Sequence, residues 1–322
     1  MNGNKNNPNG KKPLNFSSEQ AGSKKIRFKE WEYYLIMNHK GKYAVSFTLA
    51  DNLCMGAVNC SVFDFETKEK FDCTEMSLMP RDRFKFFGEN GKGAVSFTSQ
   101  TCNYHIEYTQ GEKHISCKYE RSFGHTELEA DIRLLQPREN TVVNTVDEKV
   151  DCRKQITVCM NARGYVKVKG RTYNFDSEKD FGILNRGRGM CKYRSTRYWG
   201  IGCGFVNGKP FGYNIGYGSD NASESKGNIF FYDGKCKKLG AVDFGIPEDN
   251  IMAQWNMTSD DGGFNMSFKP FFNDHTDKKS GIVNEKGEKI FGMLNGTAVL
   301  DDGEVLNIEN VPVFHEKVRR KR

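Results

Sequence analysis

Apolar and polar side chains alternate with a period of two along the stretch IRFKEWEYY, residues 26–34. Similar alternation recurs at residues 42–49, 264–268 and 304–308. A period of two is typical of a β-strand, because successive side chains point to opposite faces of the sheet. No window of ten residues or more shows the 3.6-residue apolar period of an amphipathic helix. The pattern therefore predicts an all-β chain with few short helices.

Two-residue turn signals separate the alternating stretches. They are Asn90-Gly91, Asn207-Gly208, Asp233-Gly234, Asp261-Gly262, Asn295-Gly296 and Asp302-Gly303. Asn-Gly and Asp-Gly favour the type I′ hairpin turn, because both residues tolerate a positive φ. Hairpins join strands in antiparallel order, so we expect antiparallel meanders that curl into barrels or strongly curved sandwiches.

The composition excludes several classes of protein. Aromatic residues make up 12% of the 322 residues, and side chains of that size build a core, so the chain as a whole is not disordered. The net charge of +7 is mild for this length, which disfavours a dedicated nucleic-acid-binding protein. No glycine-rich phosphate loop follows a strand and opens a helix, which disfavours a nucleotide-binding fold. We expect no cofactor.

The length suits two domains. Residues 1–24 are rich in Asn, Lys and Gly and lack hydrophobic periodicity, which predicts a disordered polar arm. The polar cluster at residues 176–180 predicts the boundary between an N-terminal barrel, residues 25–178, and a C-terminal barrel with a basic tail, residues 179–322. The octet at 41–48 recurs almost unchanged at 91–98, either as two independent hairpin strands or as a duplicated strand pair.

The cysteines and the chain ends indicate a compartment. None of the ten cysteines forms a C-x-x-C pair and the six histidines are scattered, so we expect buried thiols in a reducing cytoplasm and no metal site. The N-terminal stretch lacks an apolar region, and no segment reaches the roughly 18 apolar residues of a membrane helix. Five of the last six residues are basic. They form either a solvated tail or a weak contact with an anionic surface.

The densest unusual segment spans residues 182–200, where four arginines and a lysine lie close to two tyrosines and a tryptophan. Arginine binds carboxylate or phosphate through a planar fork and also stacks on aromatic rings. The segment is therefore either an anion-binding loop at the mouth of a barrel or a solvated turn paired with nearby carboxylates. The candidate ligand-binding residues are Trp31, Tyr33, Asn185, Arg186, Arg188, Tyr193, Trp199 and Asn214.

Three residues are candidates for catalysis. Asp51 ends a predicted strand, from which its side chain can point into a barrel. Glu224 lies near a turn, and Tyr193 lies within the arginine-rich segment. The ordinary alternative for an acidic side chain near a turn is a hydrogen bond to its own backbone.

Ordered motifs along the chain resemble those of one large, mainly microbial family. They are RFKEWEYY (27–34), VSFTLAD (45–51), KQI (154–156), NARGYV (161–166), RGRG (186–189), YW (198–199), GYNIG (212–216), YDGK (232–235), FKP (268–270) and LDDG (300–303). The family is domain of unknown function 2804, and the resemblance extends from about residue 25 to the end. Where the family usually carries Asp-Trp, this chain has Asn185-Arg186, and asparagine supplies no acidic proton.

That family is similar, more remotely, to the group of carotenoid hydratases, tocopherol cyclases and fungal Diels–Alderases. The resemblance implies two lipocalin-like barrels side by side, with a pocket at or near their junction. It does not imply a particular reaction, because one barrel fold supports many functions.

Three functions stay open on the sequence. The favoured one is binding of a small hydrophobic or amphipathic molecule between two barrels, with or without isomerase-, hydratase- or cyclase-type chemistry. The second is a non-catalytic carrier of a lipid or another hydrophobic ligand. The third is a carbohydrate-active enzyme that uses acidic residues with Arg and Tyr in an open groove.

Overall fold

The computed structural model describes residues 28–52, 55–78, 84, 92–121, 125–136, 142–147, 152–190, 194–218, 227–280 and 283–321. These residues form 21 β-strands and contain no helix. The predicted all-β class with two curved antiparallel units is thereby confirmed, whereas the few short helices are not found in these ranges. The predicted polar arm lies outside the described residues. In the part of the chain described here, no helix has the length and apolar character needed to span a bilayer.

The first sheet contains twelve antiparallel strands. They are β1 (Phe28–Met37), β2 (Tyr43–Asp51), β3 (Met55–Asp64), β4 (Glu69–Leu78), β5 (Gly93–Thr98), β6 (Cys102–Tyr108), β7 (Glu112–Arg121), β8 (His125–Leu135), β9 (Val142–Asp147), β10 (Cys152–Val168), β11 (Arg171–Phe175) and β12 (Phe181–Met190). The order across the sheet is β4-β3-β2-β1-β12-β10-β8-β7-β6-β5, with β9 and β11 paired to β10. The sheet curls into a half-barrel.

The second sheet contains nine antiparallel strands and forms the other half-barrel. They are β13 (Arg194–Val206), β14 (Lys209–Gly218), β15 (Ile229–Tyr232), β16 (Lys235–Lys238), β17 (Val242–Asp243), β18 (Trp255–Ser259), β19 (Phe264–Ser280), β20 (Val283–Val299) and β21 (Val305–Lys321). Their order is β16-β15-β14-β13-β21-β20-β19-β18-β17. Four of the predicted turn dipeptides join neighbouring strands: Asn207-Gly208, Asp233-Gly234, Asp261-Gly262 and Asp302-Gly303. The prediction of a turn at Asn295-Gly296 is wrong, because this pair lies within β20, where the register with β21 shifts. Asn90-Gly91 lies outside the described residues.

The change from one sheet to the other falls between Met190 and Arg194. Strand β12 pairs with β1 and β10 of the first sheet along its whole length, and β13 begins the second sheet. Residues 181–190, which the sequence groups with the C-terminal barrel, are therefore hydrogen-bonded to N-terminal strands. The division of the chain into domains near residue 178 stays a prediction, whereas the sheet change follows from strand pairing.

Strand alternation divides the core into three parts. On β1, Tyr34 and Ile36 point into the concave face of the first sheet, whereas Leu35 and Met37 point toward the second sheet. A separate cluster around Trp255 fills the second half-barrel. Because adjacent residues face opposite sides, one strand contributes both to the interior of its half-barrel and to the junction between the two sheets.

Aromatic rings fill much of the junction. The ring of Phe291 lies 4.9 Å from the rings of both Phe63, on β3 of the first sheet, and Phe65, in the turn that follows β3, and 5.2 Å from Phe314. All four side chains are buried. Tilted aromatic pairs at such distances stabilise beyond their buried area. The two half-barrels are thus joined by a dry aromatic contact.

Strand β10 turns a corner within the first sheet. Its first half pairs with β9 and β12, and its second half pairs with β8 and β11. The register shifts between Thr157 and Met160, where Cys159 has a φ of 57°. A bulge of this kind bends a strand and redirects its side chains. The bend lets one strand serve both the junction and the interior of the first half-barrel.

Replacement of Gly164 by alanine tests this corner. Gly164 has a φ of 124°, and a Cβ there would lie 2.0 Å from the backbone oxygen of Asp131 on β8. We expect Gly164→Ala to lower the free energy of unfolding by roughly 2 to 3 kcal/mol. Urea unfolding measures the change. Gly111→Ala is the control, because a Cβ at Gly111 meets nothing within 4 Å. Equal stability of the two variants would contradict the corner geometry.

Candidate functional site

An ionic cluster lies on the interior face of the first half-barrel, where β1 begins and β12 ends. Glu30 stands opposite Arg188 in the register of these strands, and Glu32 stands opposite Arg186. Residues two apart on a strand share a face, so the two acids and the two arginines form one patch. The interior position follows from the neighbouring Tyr34, which belongs to the core of this half-barrel.

Glu32 is the buried anchor of the cluster, with only 1% of its surface exposed. The hydroxyls of Tyr34 and Tyr108 both donate hydrogen bonds of 2.6 Å to its Oε2. Burial, and then the charge of Glu32, raise the pKa of both tyrosines, so the hydroxyls keep their protons. The Arg186 Nε lies 3.7 Å from Glu32 Oε1, which makes no hydrogen bond. Glu32 is therefore held by one donor on its own strand, Tyr34, and by one from the distant strand β6, Tyr108.

Glu30 lies nearer the open end, and 15% of its side chain is exposed. Burial raises its pKa from 4.5 to about 7; Arg188 and Arg186 oppose the shift, and Glu32 and Asp51 add to it. A carboxyl group with a pKa near 7 exists in both protonation states at neutral pH. Such a group is suited to general acid–base catalysis.

Cations complete the cluster. Lys113 lies on β7, and burial lowers its pKa. Arg188 lies over the ring of Phe28, with its guanidinium carbon 5.6 Å from the ring centroid. The Arg188 Nε is buried and makes no hydrogen bond, and its nearest acidic oxygen, on Glu30, is 3.6 Å away. The cluster thus holds an arginine donor that an acceptor on a ligand can satisfy.

The predicted ligand-binding residues of β1 and β12 fall on two opposite faces. Arg186 and Arg188 point into the first half-barrel, together with the catalytic candidate Asp51, which stands opposite Glu30 in the register of β1 and β2. Trp31 and Asn185 face the junction, where the Trp31 Nε1 donates a 3.4 Å hydrogen bond to Asn185 Oδ1. The two groups therefore line different spaces, because they alternate along the same strands.

Tyr33 also faces the junction. Its ring lies 6.5 Å from Phe314 of the second sheet, with Lys289 Nζ 5.5 Å from the ring centroid. Its buried hydroxyl makes no hydrogen bond within standard geometry, although Ser46 is close. Burial, and then Glu316 and Asp274, raise the pKa of Tyr33. The hydroxyl is thus a protonated donor at the junction.

Trp199 and Asn214 form a buried pair on the junction face of the second sheet. The Trp199 Nε1 donates a 2.8 Å hydrogen bond to Asn214 Oδ1, and Asn214 Nδ2 donates to the Gly227 carbonyl at 2.7 Å. Arg197 covers the Trp199 ring and pairs with Glu316 at 2.9 Å. These hydrogen bonds hold both side chains in the packed junction. The remaining candidates, Tyr193 and Glu224, lie outside the described residues.

The second half-barrel encloses His315, which is fully buried. Its ring lies 4.2 Å from Phe268 and 5.4 Å from Trp255, and the Tyr213 hydroxyl is 3.2 Å from its Nε2. Burial lowers its pKa from 6.5 to about 3, so the imidazole is neutral. A side chain at Gly200 would lie 2.4 Å from the ring. Glycine on β13 therefore makes room for His315.

The sequence patterns do not single out several residues of the site: Glu30, Glu32, Tyr34, Tyr108, Lys113 and His315. A signal for Glu30 and Glu32 exists in their spacing, which matches that of Arg186 and Arg188. Glu-x-Glu on one strand and Arg-x-Arg on another have the period that places like residues on one face. Opposite charge then favours their pairing. Among the described residues, no group of three or more His, Cys, Asp or Glu side chains is arranged to hold a metal ion.

Comparison with known proteins supports the resemblance noted in the sequence. The family model described as Domain of unknown function (DUF2804) matches residues 9–321. No curated protein matches the chain in sequence. Among solved structures, CghA with a bound compound has a TM-score of 0.59 at 8% identity, covering 92% of this chain and 89% of CghA.

Two further structures share the fold. Kievitone hydratase from Nectria haematococca has a TM-score of 0.52 at 10% identity, over 95% of this chain and 92% of the hydratase. A protein described as a putative AttH from Nitrosomonas europaea has the same TM-score and identity, over 95% of this chain and 97% of its own. These structures confirm the remote resemblance at the level of the fold. They do not establish a shared function, because the sequence identities are only 8% to 10%.

The pKa of Glu30 predicts a pH dependence of stability. Between pH 4.5 and pH 7 the folded protein holds a proton on Glu30 that the unfolded chain releases, so the stability contributed by Glu30 falls as the pH rises. We therefore compare the free energy of unfolding of Glu30→Gln with that of the wild type at pH 5 and at pH 8. The difference should shift in favour of Glu30→Gln by about 2 kcal/mol from pH 5 to pH 8. Equilibrium unfolding at both values measures this. A pH-independent difference would show that the Glu30 carboxyl titrates normally.

His315 predicts the opposite dependence. Its folded pKa of about 3 lies below the ordinary 6.5, so the unfolded chain binds a proton first and stability falls as the pH drops from 6.5. From pH 7 to pH 4, the free energy of unfolding should fall in both proteins. We expect the fall to be smaller in His315→Gln than in the wild type by on the order of 2 kcal/mol. Urea unfolding tests this, with the exposed His275 replaced by Gln as control. The prediction fails if His315→Gln and wild type lose stability equally.

Proposed function

The chain belongs to the family described as Domain of unknown function (DUF2804), and we propose that it binds a small amphipathic molecule at the open end of the first half-barrel, where Glu30 exchanges a proton with it. The proposal rests on one observation: two neighbouring carboxyl groups, those of Glu30 and Glu32, lie in different environments. Glu32 is fixed by two tyrosine hydroxyls, whereas Glu30 has a pKa of about 7 and reaches the surface. Carboxyl groups kept in different environments serve different roles.

The cluster provides the parts of an acid–base site. Protonated Glu30 donates to a carbonyl, hydroxyl or alkene of the bound molecule, and its carboxylate form takes a proton back. Arg188 binds a polar or anionic end group through its guanidinium, since 28% of its side chain is exposed. Hydration, isomerisation and cyclisation each require one such positioned proton donor. Asn185 lies on the opposite face of the neighbouring strand β12 and has no acidic proton to donate. Glu30 thus serves as the proton donor.

An apolar surface lies beside the charges. Phe28 and Met190 face each other across β1 and β12 on the same side as Glu30, and Leu49 stands opposite Glu32. All three are buried or nearly so. A ligand that carries a polar end on an apolar body meets both kinds of surface, which is the usual composition of a small-molecule site.

The junction supports this chemistry less well than the first half-barrel. A small crevice there is lined by Leu35, Met37, Phe181, Ile183, Ile201, Gly202, Cys203 and Pro312. This lining carries no carboxyl group, so it offers no proton donor of the required strength. The acid–base step therefore belongs to the interior cluster and not to the junction.

The carbohydrate-active alternative gains no support from the geometry. Glycoside hydrolysis uses two carboxyl groups that flank one sugar bond. Glu32 is 1% exposed, and its Oε2 already accepts two hydrogen bonds, so it does not present itself to a sugar. The carrier alternative differs from the proposal only in the absence of proton transfer.

Binding is tested with 11-(dansylamino)undecanoic acid, a fluorescent probe with a carboxylate end and an apolar body. We expect Arg188→Met to weaken its binding by about tenfold or more, because a charge-assisted hydrogen bond is lost. Arg163→Met is the matched control, since Arg163 lies half-exposed and pairs with Glu112 instead. Equal loss in both variants, or none in Arg188→Met, would place the binding site elsewhere.

Proton transfer is tested on the compound that co-purifies with the wild-type protein, identified by mass spectrometry after denaturation. In D₂O we expect the wild-type protein to introduce solvent deuterium into this compound, and Glu30→Gln to bind it without doing so. Glu309→Gln, at an exposed position, is the control. Binding without deuterium incorporation in the wild type would identify a carrier.

A further inference from the structure

Two thiols from different half-barrels meet at the junction. Cys159 lies on β10 of the first sheet, and Cys203 lies on β13 of the second. The Cys159 backbone N–H donates a 3.1 Å hydrogen bond to the Cys203 Sγ, and the Cys203 thiol is close enough to raise the pKa of the Cys159 thiol. Both cysteines are free.

The separation of the two residues permits a disulfide. The Cys159 nitrogen is 3.1 Å from the Cys203 Sγ. Adding the N–Cα bond of Cys159 and the distance from Cα to Sγ within Cys203 gives an upper limit of about 7.4 Å between the two Cα atoms. This limit is reached only if all these atoms are collinear. This limit lies just above the range of about 4.4 to 6.8 Å found in disulfides, and a bend at the nitrogen or at the sulfur shortens the separation toward that range.

The backbone around Cys159 directs its side chain to this contact. Cys159 has a φ of 57°, a left-handed conformation that a residue other than glycine adopts at a cost. The bulge aims Cys159 at the junction, whereas the next residue, Met160, packs inside the first half-barrel. Gly212 of the second sheet leaves the space, since a Cβ there would lie 2.6 Å from the Cys159 Sγ. The thiol thus occupies a site shaped by both sheets.

The two thiols differ in accessibility. Cys203 is half-buried and lines the small junction crevice, so a small oxidant reaches it from solution. Cys159 is buried, and the hydrogen bond with Cys203, followed by burial, raises its pKa. Oxidation therefore begins at Cys203, and Cys159 is the second thiol to react.

We propose that Cys159 and Cys203 form a reversible disulfide that ties the two half-barrels together when the protein meets a hydroperoxide. The hydroperoxide oxidises the Cys203 thiol to a sulfenic acid and is reduced to the alcohol, or to water if it is hydrogen peroxide. The Cys159 sulfur then attacks the Cys203 sulfur, the S–O bond breaks, and the leaving hydroxide takes the Cys159 proton to form water. A dithiol reductant restores both thiols.

A second thiol pair provides an internal comparison. Cys60 and Cys117 lie inside the first half-barrel, with 0% and 4% of their surfaces exposed, and the neighbouring Cys117, after burial, raises the pKa of the Cys60 thiol. Both lie in the core cluster of the first sheet. Proximity without access does not lead to oxidation by a reagent in solution. The junction pair should therefore react first.

Peptide mapping of the full-length protein tests the proposal. After brief treatment with hydrogen peroxide, blocking of free thiols and tryptic digestion without reduction, we expect residues 155–163 linked to residues 198–226. Each of these peptides contains a single cysteine. Dithiothreitol should release them. Recovery of both peptides as blocked thiols, or linkage of Cys60 to Cys117 at the same peroxide dose, would overturn the proposal.

Two variants add a readout that does not depend on the linked peptide. In Cys159→Gly, which accommodates the positive φ, we expect the Cys203 sulfenic acid to persist and be trapped by dimedone. The wild type should show at least tenfold less of this adduct, because Cys159 consumes the intermediate. Cys203→Ser should give no adduct on Cys159. A wild-type adduct equal to that of Cys159→Gly would show that Cys159 does not react.

Discussion

The antiparallel register of β1 with β12 is the constraint on which the molecule depends. It places Glu30 opposite Arg188 and Glu32 opposite Arg186 inside the first half-barrel. It also places Trp31 opposite Gly187, whose missing side chain leaves room for the indole ring. A slip of one residue would turn the charged face toward the aromatic junction and the indole toward the ionic cluster. One register therefore determines both the site and the packing of the two sheets.

Much of the fold follows from local sequence, and the pairing of distant strands does not. Alternation within residues 26–34 and the Asn-Gly and Asp-Gly turns predict strands and hairpins, because these signals act over a few residues. The central pairs join β1 to β12 and β13 to β21, across more than 100 residues each. Their partners are selected by the packing of whole sheets, so no local signal places the sheet change between Met190 and Arg194.

The sequence likewise predicts only the part of the site that depends on local composition. Sequence composition singled out Arg186 and Arg188 because arginines are concentrated there. Glu32 escaped notice because its importance comes from Tyr108, which approaches from β6. The sequence also does not show which residues of β1 point into the half-barrel. Alternation shows that adjacent side chains point to opposite faces of the sheet, but it does not show which face is the interior one. Burial then decides the pKa of Glu30, and burial is a property of the folded chain.

Stability alone does not account for the ionic cluster. Removing charges from water costs several kcal/mol per ion, and apolar side chains of similar volume often serve a core equally well or better. The second half-barrel shows this alternative, since Trp255, Phe244 and Phe268 pack around a neutral His315. The first half-barrel instead retains Glu30, whose pKa is moved into the neutral range, beside an arginine nitrogen that lies 3.6 Å from it and makes no hydrogen bond. A ligand with a complementary polar end supplies what the packing leaves unsatisfied, which is why we assign the proton chemistry to this half.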